Sequence, residues 1–243
     1  MKLTLKEKKQ EAENIWSFIF SKPEGLTFQA GQFLQLFVPH ENPDDRGIER
    51  YFTVAASPTE DFLMITTKIV QGSSTFKKAL LSSLIGATFE AVEPDGSFVL
   101  PEKITTCILI AGGIGITPYR SMAKFCADTN FEIPLKLIYA NKTSEETAYF
   151  DFFQSLEKQN PNLRVFYTMT EPEKSKTKWE GKVGRIDEAL LKEAAGELDK
   201  NLYYLSGPKQ MVLSYKELLL RMGIGENLLR LDYFPGYETE KII

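Results

Sequence analysis

Histidine and cysteine are nearly missing from this 243-residue chain. His40 is the one histidine, and Cys107 and Cys126 are the only cysteines. Two thiols cannot build a four-cysteine iron–sulfur cluster or structural zinc site within the chain. They support no disulfide framework either. Two buried free thiols in a reducing compartment are the expectation, with no metal site. Long apolar runs are missing too. No stretch nears the ~18 residues of a membrane span, and Met1-Lys2-Leu3 leads into mixed polar residues rather than the apolar centre of a signal peptide. The cytoplasm is the expected location. Charge of one sign is also scarce: 29 Lys and Arg against 33 Asp and Glu leave a formal −4. That balance excludes nucleic-acid binding driven by net charge, so neither nucleic acid nor a membrane span is expected.

What is present is ordinary for a folded protein, with 43% hydrophobic and 26% charged residues. The length suits one large domain or two of about 100–150 residues. The first hundred residues read as strands: Asn14–Phe20, Gln32–Val38, Arg50–Ala56 and Phe62–Val70, with turn residues between them. One helix is expected from about Ser74 to Leu84, on the stripe Phe76, Ala79, Leu80 and Leu84. Strands then resume through Val99. Near Pro101 the pattern changes. Ile104–Ile110 is a continuous apolar run, as expected of a parallel strand buried on both faces. Helices at about Pro118–Ala127, within Glu145–Lys158, at Asp187–Ala195 and Pro208–Met222 alternate with strands at Leu135–Ala140, Leu163–Thr168, Leu202–Leu205 and Leu228–Leu231. The pattern predicts an N-terminal antiparallel β-barrel, residues 1–101. A doubly wound parallel α/β domain, residues 102–243, follows it. Glu171–Lys178 is the expected solvated loop.

Ala111-Gly112-Gly113-Ile114-Gly115-Ile116-Thr117-Pro118 follows the buried strand directly. Glycine at 113 and 115 lets the backbone turn tightly and approach a pyrophosphate. Thr117 suits a helix N-cap and Pro118 the first helical position, where free amides face an anion. The G-x-G-x-x-G fingerprint is incomplete, because Pro118 stands where its third glycine would be. The acid that such a fingerprint needs about 20 residues on is also missing, since the second strand ends Tyr139-Ala140-Asn141-Lys142-Thr143. An ordinary Rossmann dehydrogenase is thereby set aside. Thr143-x-x-Glu146 reads as a capping box opening the next helix. In the barrel half, Arg50 offers a planar fork for phosphate, sharing a strand face with Phe52 while Tyr51 and Thr53 share the other. Gln71-Gly72-Ser73-Ser74-Thr75 supplies a second helix start with small hydroxyl residues. His40, in the loop Pro39–Pro43, reads as a surface residue.

With these segments in order, the sequence resembles the ferredoxin–NADP reductase-like flavoprotein family over nearly its whole length. Arg50-x-Phe52-Thr53 is similar to the family's flavin motif, and Gly72–Thr75 to its flavin-diphosphate turn. Gly112–Pro118 resembles its pyridine-nucleotide turn, and Leu205-Ser206-Gly207-Pro208-x-x-Met211 its Cys-Gly-Pro segment. Asp232-x-Phe234 resembles its acidic-x-aromatic end. The resemblance implies a flavin-binding barrel and an NAD(P)-binding α/β domain. On the flavin side it implies Arg50, Tyr51, Phe52, Thr53, Lys68, Ile69, Gly72, Ser73, Ser74 and Thr75. On the nucleotide side it implies Gly112, Gly113, Gly115, Ile116, Thr117, Pro118, Thr170, Ser206, Gly207, Pro208 and Met211. It implies catalytic roles for Thr53, Ser206, Asp232 and Phe234, with Thr53 near the flavin N5 and Phe234 near the ring. Three departures stand out: Phe52 for the usual Tyr, Ser206 for Cys, and Asp232 for Glu.

The implied cofactors are FAD and NADH or NADPH. The implied chemistry is hydride transfer from the nicotinamide to the flavin, followed by release of electrons to an external acceptor, such as a ferredoxin-like or oxygenase partner protein. A free-flavin reductase is the alternative within enzymes, and a flavin-binding subunit that needs a partner chain is the alternative from another class. NADP-specific members usually carry Ser-Arg at the end of the third α/β strand. Here Tyr167-Thr168-Met169-Thr170-Glu171 has no Arg, and Glu171 would repel a 2′-phosphate, so NADH is favoured. Lys174, Lys176 and Lys178 would restore NADPH binding if their loop folded back.

Overall fold

Leu3 and Leu5 alternate with Lys2, Thr4 and Lys6 in the first strand, and only the leucines are buried. This period of two sets one apolar face of a sheet. The computed structural model describes residues 1–234. Its first sheet contains β1 (Lys2–Ala12), β2 (Ile15–Ser21), β3 (Phe33–Phe37), β4 (Glu49–Thr53), β5 (Phe62–Lys68) and β6 (Thr88–Ala91), in the spatial order β4-β3-β6-β1-β2-β5. Its pairings are antiparallel. Helix α1 (Thr75–Ser82) follows β5 and buries Phe76 and Leu80.

The second sheet is parallel, in the order β10-β9-β8-β7-β11-β12. Its strands are β7 (Cys107–Gly112), β8 (Leu135–Asn141), β9 (Leu163–Met169), β10 (Lys182–Val183), β11 (Leu202–Pro208) and β12 (Leu229–Phe234). Helices α2 (Thr117–Thr129), α3 (Phe150–Gln159), α4 (Glu188–Ala195) and α5 (Lys209–Arg221) connect them. Every residue of central β7 is buried, because helices cover both faces of a doubly wound sheet. One core cluster runs from the first sheet through α2 and α3 onto one face of the second; the other lies beneath α4 and α5.

The two sheets meet along a polar seam. Arg120 of α2 forks onto Glu60, with Nη1 to Oε2 at 2.7 Å and Nη2 to Oε1 at 2.9 Å, and Nη1 also donates to the Ala55 carbonyl. The Ser121 hydroxyl donates to the Ala56 carbonyl at 2.7 Å. Tyr149 enters α3 in the left-handed region, φ 60°. Its hydroxyl meets Ser17 of β2 and Thr66 of β5, and the Arg120 guanidinium lies over its ring. Breaking one partner of a buried pair such as Arg120–Glu60 costs about 3–5 kcal/mol.

Several local expectations need correction. The long strand β1 was not anticipated, because Lys6–Gln10 is almost wholly charged and hides its alternation. No strand runs on to Val99: beyond Ala91 there is one isolated bridge, Phe33–Asp95, since Pro94 and Gly96 interrupt the ladder. The β7 strand begins at Cys107 rather than Ile104, which is 63% exposed. Thr143 makes no capping bond and opens only the 3₁₀ turn Ser144–Glu146; α3 starts later, at Phe150, where Tyr149 is anchored in the seam. Thr117 is the first helical residue rather than the N-cap. A 3₁₀ turn, Gly113–Ile116, runs straight into α2, and the Thr117 hydroxyl donates to the Ile114 carbonyl. The two cysteines are free and buried, and burial pushes both thiols up to about 12. Among the described residues, no helix is long and apolar enough to cross a membrane.

Candidate active site

Between the ends of the two sheets lies a cavity of about 520 Å³. Its walls come from both halves. From the first sheet come Phe33, Glu49, Arg50, Tyr51, Phe52, Thr53, Thr66 and Thr67, with Arg46 and Lys77 beside them. The second half contributes Ile114, Thr117, Asp232, Tyr233 and Phe234. Seven residues implied by the sequence motifs therefore meet in one space: Arg50, Tyr51, Phe52, Thr53, Thr117, Asp232 and Phe234. They come together because β4 is the edge strand of its sheet, while β7 and β12 end on the same side of theirs.

Arg50 is buried and held by its own loop. Nη1 donates to the carbonyls of Arg46, Gly47 and Glu49, and Nη2 donates to Asp44 Oδ1 at 2.8 Å. The guanidinium also lies over the Phe76 ring. The Nε–H has no partner among these bonds. Burial pushes the Asp44 carboxyl up, but the Arg46 amide and the Arg50 guanidinium together hold it below its ordinary range. The same loop is tied to the start of α1. Asp44 N–H donates to Thr75 Oγ1 at 3.0 Å, and His40 Nε2 lies 3.0 Å from the same oxygen. His40 Nδ1 donates to the Val38 carbonyl at 2.7 Å, since a carbonyl only accepts. His40 is thus half-buried and bonded at both nitrogens, not the simple surface residue expected. The neighbouring Ser74 caps α1, its hydroxyl accepting from the Lys77 amide.

The second turn is built differently. Gly113 has φ 51°, which a side chain makes costly. A Cβ at Gly115 would stand 2.1 Å from the Ser206 carbonyl oxygen and 2.7 Å from the Gly207 Cα. The first need for glycine at 115 is therefore close approach of the turn to β11. Met211 wedges its sulfur against Gly112, where an added Cβ would meet it at 2.0 Å. Gly112, Gly113, Gly115, Ile116 and Pro118 lie behind the cavity wall that Ile114 and Thr117 form. Ser206, Gly207, Pro208 and Met211 lie at the β11–α5 junction that supports it.

Ser206 and Asp232 are partners in register on β11 and β12, and the Ser206 hydroxyl donates to Asp232 Oδ2 at 3.2 Å. Burial pushes the Asp232 carboxyl up to about 6 against the lowering effect of that bond. A carboxyl in this range holds or releases a proton near neutrality. Phe234, two residues on, lines the same cavity.

Other implied residues stand outside it. Lys68 ends β5 and Ile69 follows it toward the Gly72–Thr75 turn; Lys68 Nζ meets Glu146 at 3.1 Å across the seam. Thr170 follows β9 and bonds the Asn141 carbonyl, two strands from β7. Sequence reasoning missed Phe33, Arg46, Glu49, Thr66, Thr67, Lys77, Ile114 and Tyr233 as cavity walls. The hydroxyl pair Thr66-Thr67 inside the apolar run Phe62–Val70 was the signal for two of them. Ile114, between two glycines of the turn, was another. Among the described residues no group of three or more His, Cys, Asp or Glu is placed to hold a metal.

Residues 109–217 match a family model described as an oxidoreductase NAD-binding domain. The chain is 28% identical over 234 residues to a flavohemoprotein of Pseudomonas putida, covering 95% of this chain and 58% of that protein. It is 22% identical to the glycine betaine monooxygenase reductase subunit of Chromohalobacter salexigens, covering 88% and 58%. It thus spans little more than half the length of these relatives. Two solved structures share the fold. The Amycolatopsis cytochrome P450 reductase GcoB superposes with a TM-score of 0.83 at 21% identity, covering 96% of this chain and 70% of that one. A Neisseria gonorrhoeae ferredoxin NADP+ reductase with bound FAD and NADP superposes at 0.79 and 20% identity, covering 96% and 98%.

Proposed function

We propose that this chain is a ferredoxin–NADP reductase-like flavoprotein, a reading supported by the family-model match, the curated relatives and the shared fold, and that it is an NAD(P)H-dependent, FAD-containing reductase that passes electrons to an external protein acceptor. The observation that carries this is the shared cavity, walled by Arg50–Thr53 and Thr66–Thr67 from one sheet and by Ile114, Thr117, Asp232 and Phe234 from the other. Its lining fits a flavin: aromatic and aliphatic walls for a planar ring, hydroxyls for ring heteroatoms, and a guanidinium with an N–H to spare for a diphosphate. A flavin held there by Arg50 and the Arg50–Thr53 strand would supply the redox chemistry between a reduced nicotinamide and the acceptor.

The chain's own contribution is placement and charge. Arg50 and the Ser74-capped start of α1 hold the anionic tail. The glycine turn at 113–115 brings the start of α2 to the nicotinamide nucleotide. Thr53 lines the cavity, and the Ser206–Asp232 pair places there a carboxyl, raised by burial to about 6, that can take up or release a proton. Phe234 closes the cavity from the other side.

NADH is the favoured donor. Glu171 stands just after Thr170, and the three lysines that would rescue a 2′-phosphate each face a carboxylate: Lys174 with Glu171, Lys176 with Glu13 and Lys178 with Glu180. An anaerobic visible spectrum before and after NADH tests the proposal. Flavin bands that bleach with NADH support it, and bands unchanged by NADH and NADPH alike refute it. A lower apparent KM and higher turnover with NADPH than with NADH would overturn the coenzyme preference.

A further inference from the structure

Strand register lays out the outer face of the first sheet beside the cavity in rows. Glu49 of β4 pairs with Phe37 of β3, and Phe37 with Glu90 of β6. Their inward neighbours Leu36 and Ala91 are buried in the core, so this row points outward. In the next row Tyr51 pairs with Gln35, whose carbonyl accepts from the Val92 amide. Phe33 follows, its ring edge-on to Tyr51 at 5.6 Å. Tyr51 is 62% exposed, Val92 51% and Phe33 38%. Three large apolar or aromatic groups clustered in solvent mark an interaction surface more than a scattered surface does.

Carboxylates rim this patch. Glu49, Glu90 and the nearby Glu93 are all exposed, and no ion pair among the described residues engages any of them. The cation in these rows is Lys2, opposite Glu90 at the far side from the cavity. The patch is also continuous with the candidate active site, because Phe33, Glu49 and Tyr51 form part of the cavity wall.

We infer that this face is the docking surface for a protein electron acceptor whose own contact face is basic around an apolar centre. The inference rests on the reductase activity proposed above. Aromatic groups anchor the centre of such an interface, and the unpaired carboxylates steer an oppositely charged partner toward it. An acidic, ferredoxin-like acceptor would be repelled by the same rim.

The test uses the flavin-loaded protein and cytochrome c as a small basic redox protein. Association is followed by biolayer interferometry at low and high ionic strength. The variant Glu90→Lys/Glu93→Lys, which leaves the cavity wall untouched, is expected to slow association about tenfold at low salt. High salt should erase most of that difference. Val92→Ser is expected to weaken binding at both salt concentrations. An acidic [2Fe–2S] ferredoxin should bind the charge-reversed variant better than the wild type. Carbodiimide cross-links to cytochrome c should fall on Glu49, Glu90 or Glu93. Equal binding of cytochrome c by wild type and variant, stronger binding of ferredoxin than of cytochrome c by the wild type, or cross-links concentrated elsewhere would overturn the inference. Bleaching of the flavin by NADH in the same samples, without acceptor, reports separately on the reductase activity. Its loss with binding intact would count against the activity and not against the surface.

Discussion

The turns that lead into α1 and α2 solve one problem by opposite means. The turn before α1 is held by side chains: Ser74 caps the helix, Thr75 accepts from the Asp44 amide and pairs with His40 Nε2, and Asp44 grips Arg50. Its Gly72 has φ 90° but open space where a Cβ would stand. The turn before α2 is held by backbone packing. At Gly115 there is no room for a Cβ against β11. A side-chain network degrades gradually as members are removed. A steric fit against backbone fails at the first added carbon, because the neighbouring strand cannot move aside.

The sharpest way to break that comparison is a glycine pair. Gly115→Val should destabilise the protein by about 3 kcal/mol or more, since the clash is with backbone in a close-packed interior. Gly72→Ala should cost only about 1 kcal/mol, the cost of left-handed backbone for a residue with a Cβ. Urea unfolding of both variants checks this, and similar losses would show that the turns do not differ. Next in size, Arg50→Ala should weaken flavin binding by about 1.5–3 kcal/mol, the scale of charged hydrogen bonds. A fluorescence titration with FAD measures it, and unchanged affinity would remove Arg50 from the site.

Asp232→Asn probes the second half by pH. Because the folded carboxyl is raised to about 6, the native state binds more protons than the unfolded chain between about pH 4 and 6. Wild-type stability should therefore fall as pH rises through that window and level off above it. The Asn variant should lack this slope and be about 1–2 kcal/mol more stable than wild type at pH 7. Thermal unfolding across pH 4–8 decides, and parallel curves for the two proteins would exclude the raised carboxyl. The smallest effect belongs to the side-chain-built turn: Ser74→Ala should cost about 1 kcal/mol, the worth of an N-cap. Equilibrium unfolding should show that modest loss with the cavity otherwise intact.

Much of this architecture was legible where one local rule dominates. Ile104–Ile110 reads as a buried strand, and its wholly apolar part, Cys107–Ile110, is one. Asp187 reads as a helix start, and it does cap α4 by accepting from the Leu190 amide. Legibility failed where tertiary contacts outweighed local preference. Thr143-x-x-Glu146 has the pattern of a capping box, yet Tyr149 is needed in the seam against Ser17 and Thr66, and the helix waits for it. His40 looked like a loop residue because nothing local shows Thr75, 35 residues away, as its partner. Lys6–Gln10 shows no apolar alternation of its own, because its strand partners supply the regularity.

By itself, then, the sequence determined the run of strands, the later strand–helix alternation, and the two glycine-bearing turns. These follow from periodicity and from backbone angles that only certain residues adopt. The tertiary structure decided that Arg50, Thr53, Thr117, Asp232 and Phe234 share one cavity, that Gly115 is required by β11, and that Arg120 and Tyr149 clamp the sheets together. Those are contacts between residues distant in the chain, and their energies depend on distance and burial, which no local pattern of residues encodes.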